Sequence, residues 1–355
     1  MSRNTTETSR RSFLQRAGGA TVATASVTSL AGCGGDGGDG GDGGDGSNGS
    51  NGSDGGDTTS LRYGRGAHSS TLDPQNTTSG EVAKVTNQAY EGLIAFQPGE
   101  ASLTESLATD WSLDGDSVTL TLREGVSFHD GSEFTADDFI ATYRRFVDDD
   151  YEYHFEDASV YGPFTLGNWI DSIEAPSDYE LSITLTQTYA PFLRNLAMFA
   201  AVVISQDAIE GDTNLGEEMV GTGPFQLETL DDANNRIRLT AFDDYWGEAP
   251  NVDEVLFLTR GQNSTRAQSL VEEELDIIDG LDPDSMQIVD GSDTAESRTA
   301  TGINIGYMAF NLSRVEAFRD RRVRQAVSLA INTQSIVENI YSGIATQADQ
   351  PIPDR

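Results

Sequence analysis

Cysteine and lysine are almost missing from this sequence: Cys33 is the one thiol and Lys84 the one lysine in 355 residues. A single cysteine excludes an intrachain disulfide and the paired-thiol chemistry of redox motifs and zinc ribbons. Histidine is scarce as well. His68, His129 and His154 stand far apart, with no H-E-x-x-H spacing to hold a metal. No apolar run approaches the roughly 20 residues that a membrane-spanning helix needs. The largest deficit is in positive charge: Lys+Arg 22 against Asp+Glu 58, a formal net charge of -36. A field of that sign repels nucleic acid and anionic membrane surfaces, so neither is an expected partner. It also destabilises a compact state until salt screens it. Lysine scarcity beside so much acid, some of it in folded-looking segments such as Asp148-Asp149-Asp150, reads as halophilic adaptation.

The N-terminus accounts for the lone cysteine. Ser9-Arg10-Arg11-Ser12-Phe13-Leu14 sets an arginine pair before a short, mildly apolar stretch from Ala17 to Ala31. That is the layout of a twin-arginine (Tat) export signal. The stretch ends in Leu30-Ala31-Gly32-Cys33, which resembles a lipobox, with small residues before a thiol that is lipidated before cleavage. Residues 1–33 are thus read as the signal, Cys33 as the lipidation site, and the mature protein as a lipoprotein on the extracellular face of the cytoplasmic membrane. Residues 34–60 are nearly all Gly, Asp, Ser, Asn and Thr. Such a segment cannot bury enough apolar area to offset its ordering entropy, which makes it a flexible tether. Its Gly-Gly-Asp repetition resembles calcium-binding turns but lacks the alternating apolar residue of a β-roll. Asn48 and Asn51 stand in N-x-S sequons on it.

From Leu61 onward strand and helix signals alternate. Leu61–Gly66 reads as a first strand, and Val82, Val85, Ala89 and Leu93 share one helical face. Val118–Leu122 and Leu181–Leu185 alternate strictly, as half-buried strands do. Thr135-Ala136-Asp137-Asp138 resembles a capping box opening a helix through Phe139, Tyr143 and Phe146. Pro191 precedes a helix over Phe192–Phe199, followed by a buried strand over Ala201–Ser205. Further strands are expected at Arg236–Ala241 and Glu254–Thr259. Val323, Ala326, Val327, Ala330 and Ile331 give a last helical face. The class is α/β, without the regular beat of a barrel.

Taken in order, the motifs resemble the large peptide-type (family 5) solute-binding proteins of ABC importers. The elements are Leu72-Asp73-Pro74, Tyr90-Glu91-Gly92-Leu93, Leu107-Ala108-Thr109-Asp110-Trp111 and the run Leu122–Gly131. Thr135–Asp138, Ala190-Pro191-Phe192-Leu193, Gly221-Thr222-Gly223-Pro224-Phe225, Phe242–Gly247 and Val323–Ala326 follow. The resemblance implies a two-lobed, periplasmic-binding-protein-like fold of type II with an extra subdomain and a hinged interlobe cleft. It places lobe I at 61–91 and 190–302, the inserted subdomain at 92–189, and the start of lobe II at 303–355. The chain would enter lobe II around Gly302 to Asn311 and stop before that lobe is complete.

No nucleophile and base assemble. His129-Asp130-Gly131 reads as turn chemistry, a G-x-S-x-G elbow is absent, and Gly221–Phe225 lacks the lysine and spacing of a phosphate loop. The expectation is a binding protein rather than an enzyme, with no cofactor and no metal. By position in the family, Thr78, Ser79 and Gly80 line the cleft with their backbone, and Tyr161 supplies an aromatic lid. Tyr307 and Asn311 lie on the strand that enters lobe II. Trp246 reads as packing and Lys84 as a solvated helix residue. The expected partners are a peptide ligand, the permease and ATPase of the importer, and the membrane through the anchor alone, the protein being a monomer. A surface-anchored sensor of the same fold is the alternative, and a secreted hydrolase is disfavoured.

Overall fold

A computed structural model describes residues 58–155, 161–299 and 305–348. Residues 1–57, with Cys33 and the segments expected to be export signal and tether, lie outside the described residues, as do 302–304 of the expected crossing and the chain after 348. The chain divides into two compact units. One comprises the residues up to Gly261 together with Leu275–Ile277, and the other Gln262–Glu274 together with the residues from Ile278 onward.

The larger unit opens with β1 (Ser60–Arg65), one residue ahead of the expected strand, and a loop leading to α1 (Gly80–Thr86). A short hairpin, β2 (Ile94–Phe96) and β3 (Leu103–Glu105), precedes β4 (Ala108–Asp114) and β5 (Ser117–Leu122). Helix α2 (Ala136–Val147) leads to a π-helical turn at Pro163–Gly167, then β6 (Ile170–Ser177) and β7 (Glu180–Leu185). The chain continues through α3 (Phe192–Asn195), a 3-10 turn at Phe199–Ala201, α4 (Gln206–Glu210), β8 (Phe225–Asp231), β9 (Arg236–Ala241) and β10 (Glu254–Thr259).

These strands form two main sheets. One runs β11-β1-β10-β9-β8, where β11 (Ile277–Ile278) is a short edge and β1 lies parallel to β10 with Arg65 opposite Thr259. The other, β4-β5-β7-β6, is antiparallel throughout. The strict alternation read from the sequence is realised there: Val118, Leu120 and Leu122 of β5 are buried while Ser117, Thr119 and Thr121 face out. Leu181, Ile183 and Leu185 of β7 do the same, and this face shares one apolar cluster with Phe139 and Phe146 of α2. The start of α2 is fixed as expected. Asp138 Oδ2 accepts from the Thr135 amide at 2.8 Å, while its Oδ1 accepts from the Gln206 amide at 2.8 Å, so one carboxylate serves two helix starts.

Three expected elements come out differently, the first and last of them because bonds made across the molecule outweigh local propensity. The helix holding Val82 and Val85 stops at Thr86; Ala89 and Leu93 are buried but not helical. Their segment is instead bound across the molecule, the Ala89 carbonyl accepting from Gly223 and the Gln88 carbonyl from Phe225. The helix after Pro191 ends at Asn195. Ala201–Ser205 is fully buried, yet it makes only an isolated bridge, Val202 with Gly92, and Ile204 takes its polar partner from Thr142 Oγ1 at 3.0 Å.

In the smaller unit, α5 (Asn263–Val271) packs on α6 (Pro283–Asp290). Asp282 caps α6 through Ser285 at 2.8 Å, with proline in the first turn. Arg266 of α5 is buried and donates to the carbonyls of Asp279 and Gly280 at 3.2 and 3.3 Å. Beyond residue 305 lie α7 (Arg321–Ala330) and α8 (Thr333–Asn339), neither of which buries a residue.

Candidate functional site

Several of the ordered motifs meet in a polar knot inside the larger unit. The Glu91 carboxylate is buried and accepts from Tyr245 Oη at 3.0 Å, Trp246 Nε1 at 2.8 Å and Thr222 Oγ1 at 2.8 Å. The Arg123 guanidinium lies 4.2 Å from the Trp246 ring centroid. Burial raises the Glu91 carboxyl above its ordinary value, and the three hydrogen bonds pull the other way. Tyr245 is raised too, first by its own burial and then by the Glu91 charge. His129 extends the knot: Nε2 donates to the Gly223 carbonyl at 3.0 Å and Nδ1 accepts from the Gly221 amide at 3.4 Å. That fixes a neutral ring, and burial lowers its basicity accordingly. The glycines are there for contact. A Cβ on Gly221 would fall 2.0 Å from the Ala89 carbonyl oxygen, so this loop packs on backbone and leaves no room for a phosphate. Trp246 and His129 are scaffold, as their sequence context implied. Glu91 as the common acceptor was legible only as part of a motif.

The loop after β1 is pinned just as firmly. Asp73 and Arg145 form a buried ion pair at 2.6 Å, and Gln75 adds a bond to the Thr142 carbonyl at 2.9 Å. This anchors the loop to α2. Two side-chain turns then order the next residues: Thr77 Oγ1 accepts from the Ser79 amide at 2.9 Å, and Ser79 Oγ from the Glu81 amide at 3.2 Å. Thr78, Ser79 and Gly80 themselves are exposed, and a Cβ built on Gly80 would meet nothing within 4 Å. Ser79 spends its own main chain inside the turn, its amide on Thr77 and its carbonyl on Val82 and Ala83, so Thr78 and the Gly80 amide are the main-chain groups placed to grip a ligand. Lys84, one turn on, pairs with Glu81 at 2.7 Å and is only half-exposed.

Tyr161 flanks the π-helical turn, with its ring edge-on to Phe199 at 5.2 Å. Beside it is an aromatic pair that sequence reading passed over, Trp169 stacked on Tyr189 at 3.7 Å, with Trp169 Nε1 donating to the Phe164 carbonyl at 2.7 Å. Phe164 is 55% exposed.

Tyr307 and Asn311 belong to the smaller unit. They do not form the expected strand: residues 305–311 have no regular structure, since a strand needs a ladder partner and none is present among the described residues. Tyr307 is 84% exposed. Asn311 spends its side-chain oxygen on a turn, accepting from Ser313 Oγ and the Arg314 amide at 2.9 Å each. Among the described residues no group of three or more His, Cys, Asp or Glu gathers to hold a metal, and no helix is long and apolar enough to cross a membrane.

Residues 102–355 match the family model described as bacterial extracellular solute-binding proteins, family 5 Middle. The chain is 30% identical over 300 residues to the dipeptide-binding protein of Escherichia coli (strain K12), covering 79% of this chain and 56% of that protein. Among solved structures it resembles the ABC transporter-associated periplasmic binding protein DppA from Helicobacter pylori in complex with the peptide STSA. The TM-score is 0.77 at 30% identity, covering 83% of this chain and 61% of that one. It also resembles the dipeptide binding protein from Pseudoalteromonas sp. SM9913 in complex with Met-Leu, with TM-score 0.75, 31% identity and coverage of 80% and 59%. The α/β class of periplasmic-binding-protein type expected from the sequence is that of these neighbours. The chain spans little more than half the length of the curated relatives it matches.

Proposed function

Because the chain belongs to the bacterial extracellular solute-binding proteins, family 5, we propose that it captures peptides of the dipeptide or oligopeptide class and delivers them to the permease of an ABC importer. One observation carries the ligand side of this reading. The exposed backbone of Thr78-Ser79-Gly80 is fixed by Thr77 and Ser79 and has open space where a side chain would stand on Gly80. Main-chain donors and acceptors at such a place recognise an extended peptide without selecting one sequence. Tyr161 adds an aromatic wall. Solved neighbours that hold STSA and Met-Leu support the ligand class. The role is binding, in keeping with the family, and no catalytic step is assigned. The protein is exported through the twin-arginine route and held at the membrane by lipid on Cys33.

Calorimetric titration of the full-length protein with Met-Leu and with Ser-Thr-Ser-Ala tests the ligand. Micromolar or tighter binding of either is expected; silence with both, beside a non-peptide ligand found by mass spectrometry on protein from its host, overturns it. For the anchor, Cys33→Ser should move the exported protein from the membrane to the soluble fraction, and a variant that stays membrane-bound refutes lipidation there.

A further inference from the structure

Arg65, at the end of β1, is 0% exposed. Its Nη1 donates to Ser69 Oγ at 2.7 Å and to the Glu81 carbonyl at 3.1 Å, and its Nη2 meets His68 Nδ1 at 3.2 Å. A guanidinium has donors only, so the facing imidazole nitrogen must accept. His68 therefore carries its proton on Nε2, which donates to Asp232 Oδ1 at 2.8 Å, on the 3-10 turn that closes the β8–β9 hairpin. The guanidinium carbon sits 5.6 Å from the Phe257 ring centroid. Burial pushes Arg65 down to about 10. Its Nε has no hydrogen-bond partner among the described residues, and neither has Oγ1 of Thr259, its neighbour across the β1–β10 ladder.

Of its nitrogens only Nε is left without a partner among the described residues, so the guanidinium is spent on three contacts. What this charge does is fasten the loop after β1, through the Ser69 hydroxyl and the Glu81 carbonyl. Its two Nη1 bonds end on Ser69 and Glu81, which bracket the segment holding Thr78-Ser79-Gly80. His68 braces the guanidinium from behind against a different hairpin.

We propose that Arg65, supported by His68, is a positioning residue for ligand binding: it fixes the start of α1 so that the exposed backbone of Thr78-Ser79-Gly80 is held ready for the ligand. This rests on the peptide-binding reading above. A side chain that holds a binding-competent state acts on affinity through the population of that state. The effect thus separates from global stability.

The test compares wild type, Arg65→Met, Arg65→Lys and the milder Ser69→Ala in the full-length protein. Three quantities are read: melting temperature, amide hydrogen exchange, and affinity for Met-Leu and Ser-Thr-Ser-Ala. Arg65→Met, which leaves Ser69, the Glu81 carbonyl and His68 without their donor, is expected to melt below wild type, to speed exchange of the amides of residues 79–83 about tenfold more than that of its other amides, and to bind about tenfold more weakly. Lysine keeps the charge but loses the fork, so Arg65→Lys should fall between. Ser69→Ala should shift the same way by less. Unchanged exchange and affinity in folded Arg65→Met overturn the proposal. So does a loss of affinity that follows melting temperature across all variants with exchange raised everywhere. If wild type binds neither peptide, the ligand reading fails, while exchange at residues 79–83 still decides the positioning role.

Discussion

Helices α2 and α7 carry the same kind of sequence signal and meet opposite fates. Each has a clean apolar face: Phe139 and Phe146 with Ala136 on one, Val323, Val327 and Ala330 on the other. In α2 that face is buried against the four-stranded sheet. In α7 no residue is fully buried: Val323 and Val327 are half-buried, Ala330 is exposed, and Leu329, off that face, is 87% exposed. Amphipathic spacing says that a helix has something to cover. It does not say what covers it. A second contrast follows from the first. Buried polar groups such as Asp73–Arg145 and the Glu91 knot are fully partnered, because a dry interior makes satisfying them decisive, whereas α7 buries none.

The largest break in this comparison should come at Glu91. Glu91→Ala leaves the donors of Tyr245, Trp246 and Thr222 without their acceptor and should cost about 3–5 kcal/mol in urea unfolding, as for other severed buried polar groups. A loss under about 1 kcal/mol would mean that water satisfies the knot. Phe139→Ala should cost about 3–5 kcal/mol, and Leu329→Ala less than about 0.5 kcal/mol. This pair tests the contrast directly: a loss at Leu329 like that at Phe139 would show α7 covered in solution. Asp138→Ala, which uncaps α2 and frees the Gln206 amide, should cost about 1–3 kcal/mol. Thermal melts that match wild type would deny the carboxylate its double role.

The smallest effect is in pH. Burial is the chief influence on the Glu91 carboxyl and raises it above its ordinary 4.5. The folded chain then takes up that proton at higher pH than the unfolded chain. The linked stability is complete below the ordinary value and is lost as pH rises through the folded one. Glu91→Gln keeps the shape without the titration. Wild type should therefore gain stability relative to Glu91→Gln as pH falls from about 7 to about 4. A difference that stays flat over that range contradicts a raised carboxyl.

Much of the larger unit was legible. The alternation in β5 and β7, the helix start at Thr135–Asp138, and the bounds of β9 and β10 all follow from periodicity and capping, which act within a few residues. The order of motifs was legible too, and it led to the family. The segment Thr78–Gly80 was singled out by position in that order, and the turns that hold it agree with its Ser-Gly chemistry. What was not legible is whatever depends on partners far along the chain. Ala201–Ser205 looks like a strand because it is apolar and β-branched, but a strand also needs a neighbour in register. Arg65 between two glycines gave no sign of where its guanidinium goes, since Ser69, Glu81 and His68 converge on it only through the fold.

The sequence by itself determined which residues want burial, where helices begin, that thiol-pair chemistry is excluded, and which family the motifs belong to. Each of these is a property of local pattern or composition. Tertiary structure alone decided that Glu91 gathers the Tyr-Trp turn and the Gly-Thr-Gly loop, that the helix begun at Gly80 stops at Thr86, and that α7 leaves its face only half-covered. The reason is the same in each case. A buried hydrogen bond or apolar contact has its value only when its partner arrives from elsewhere in the chain, and that arrival is written in the packing.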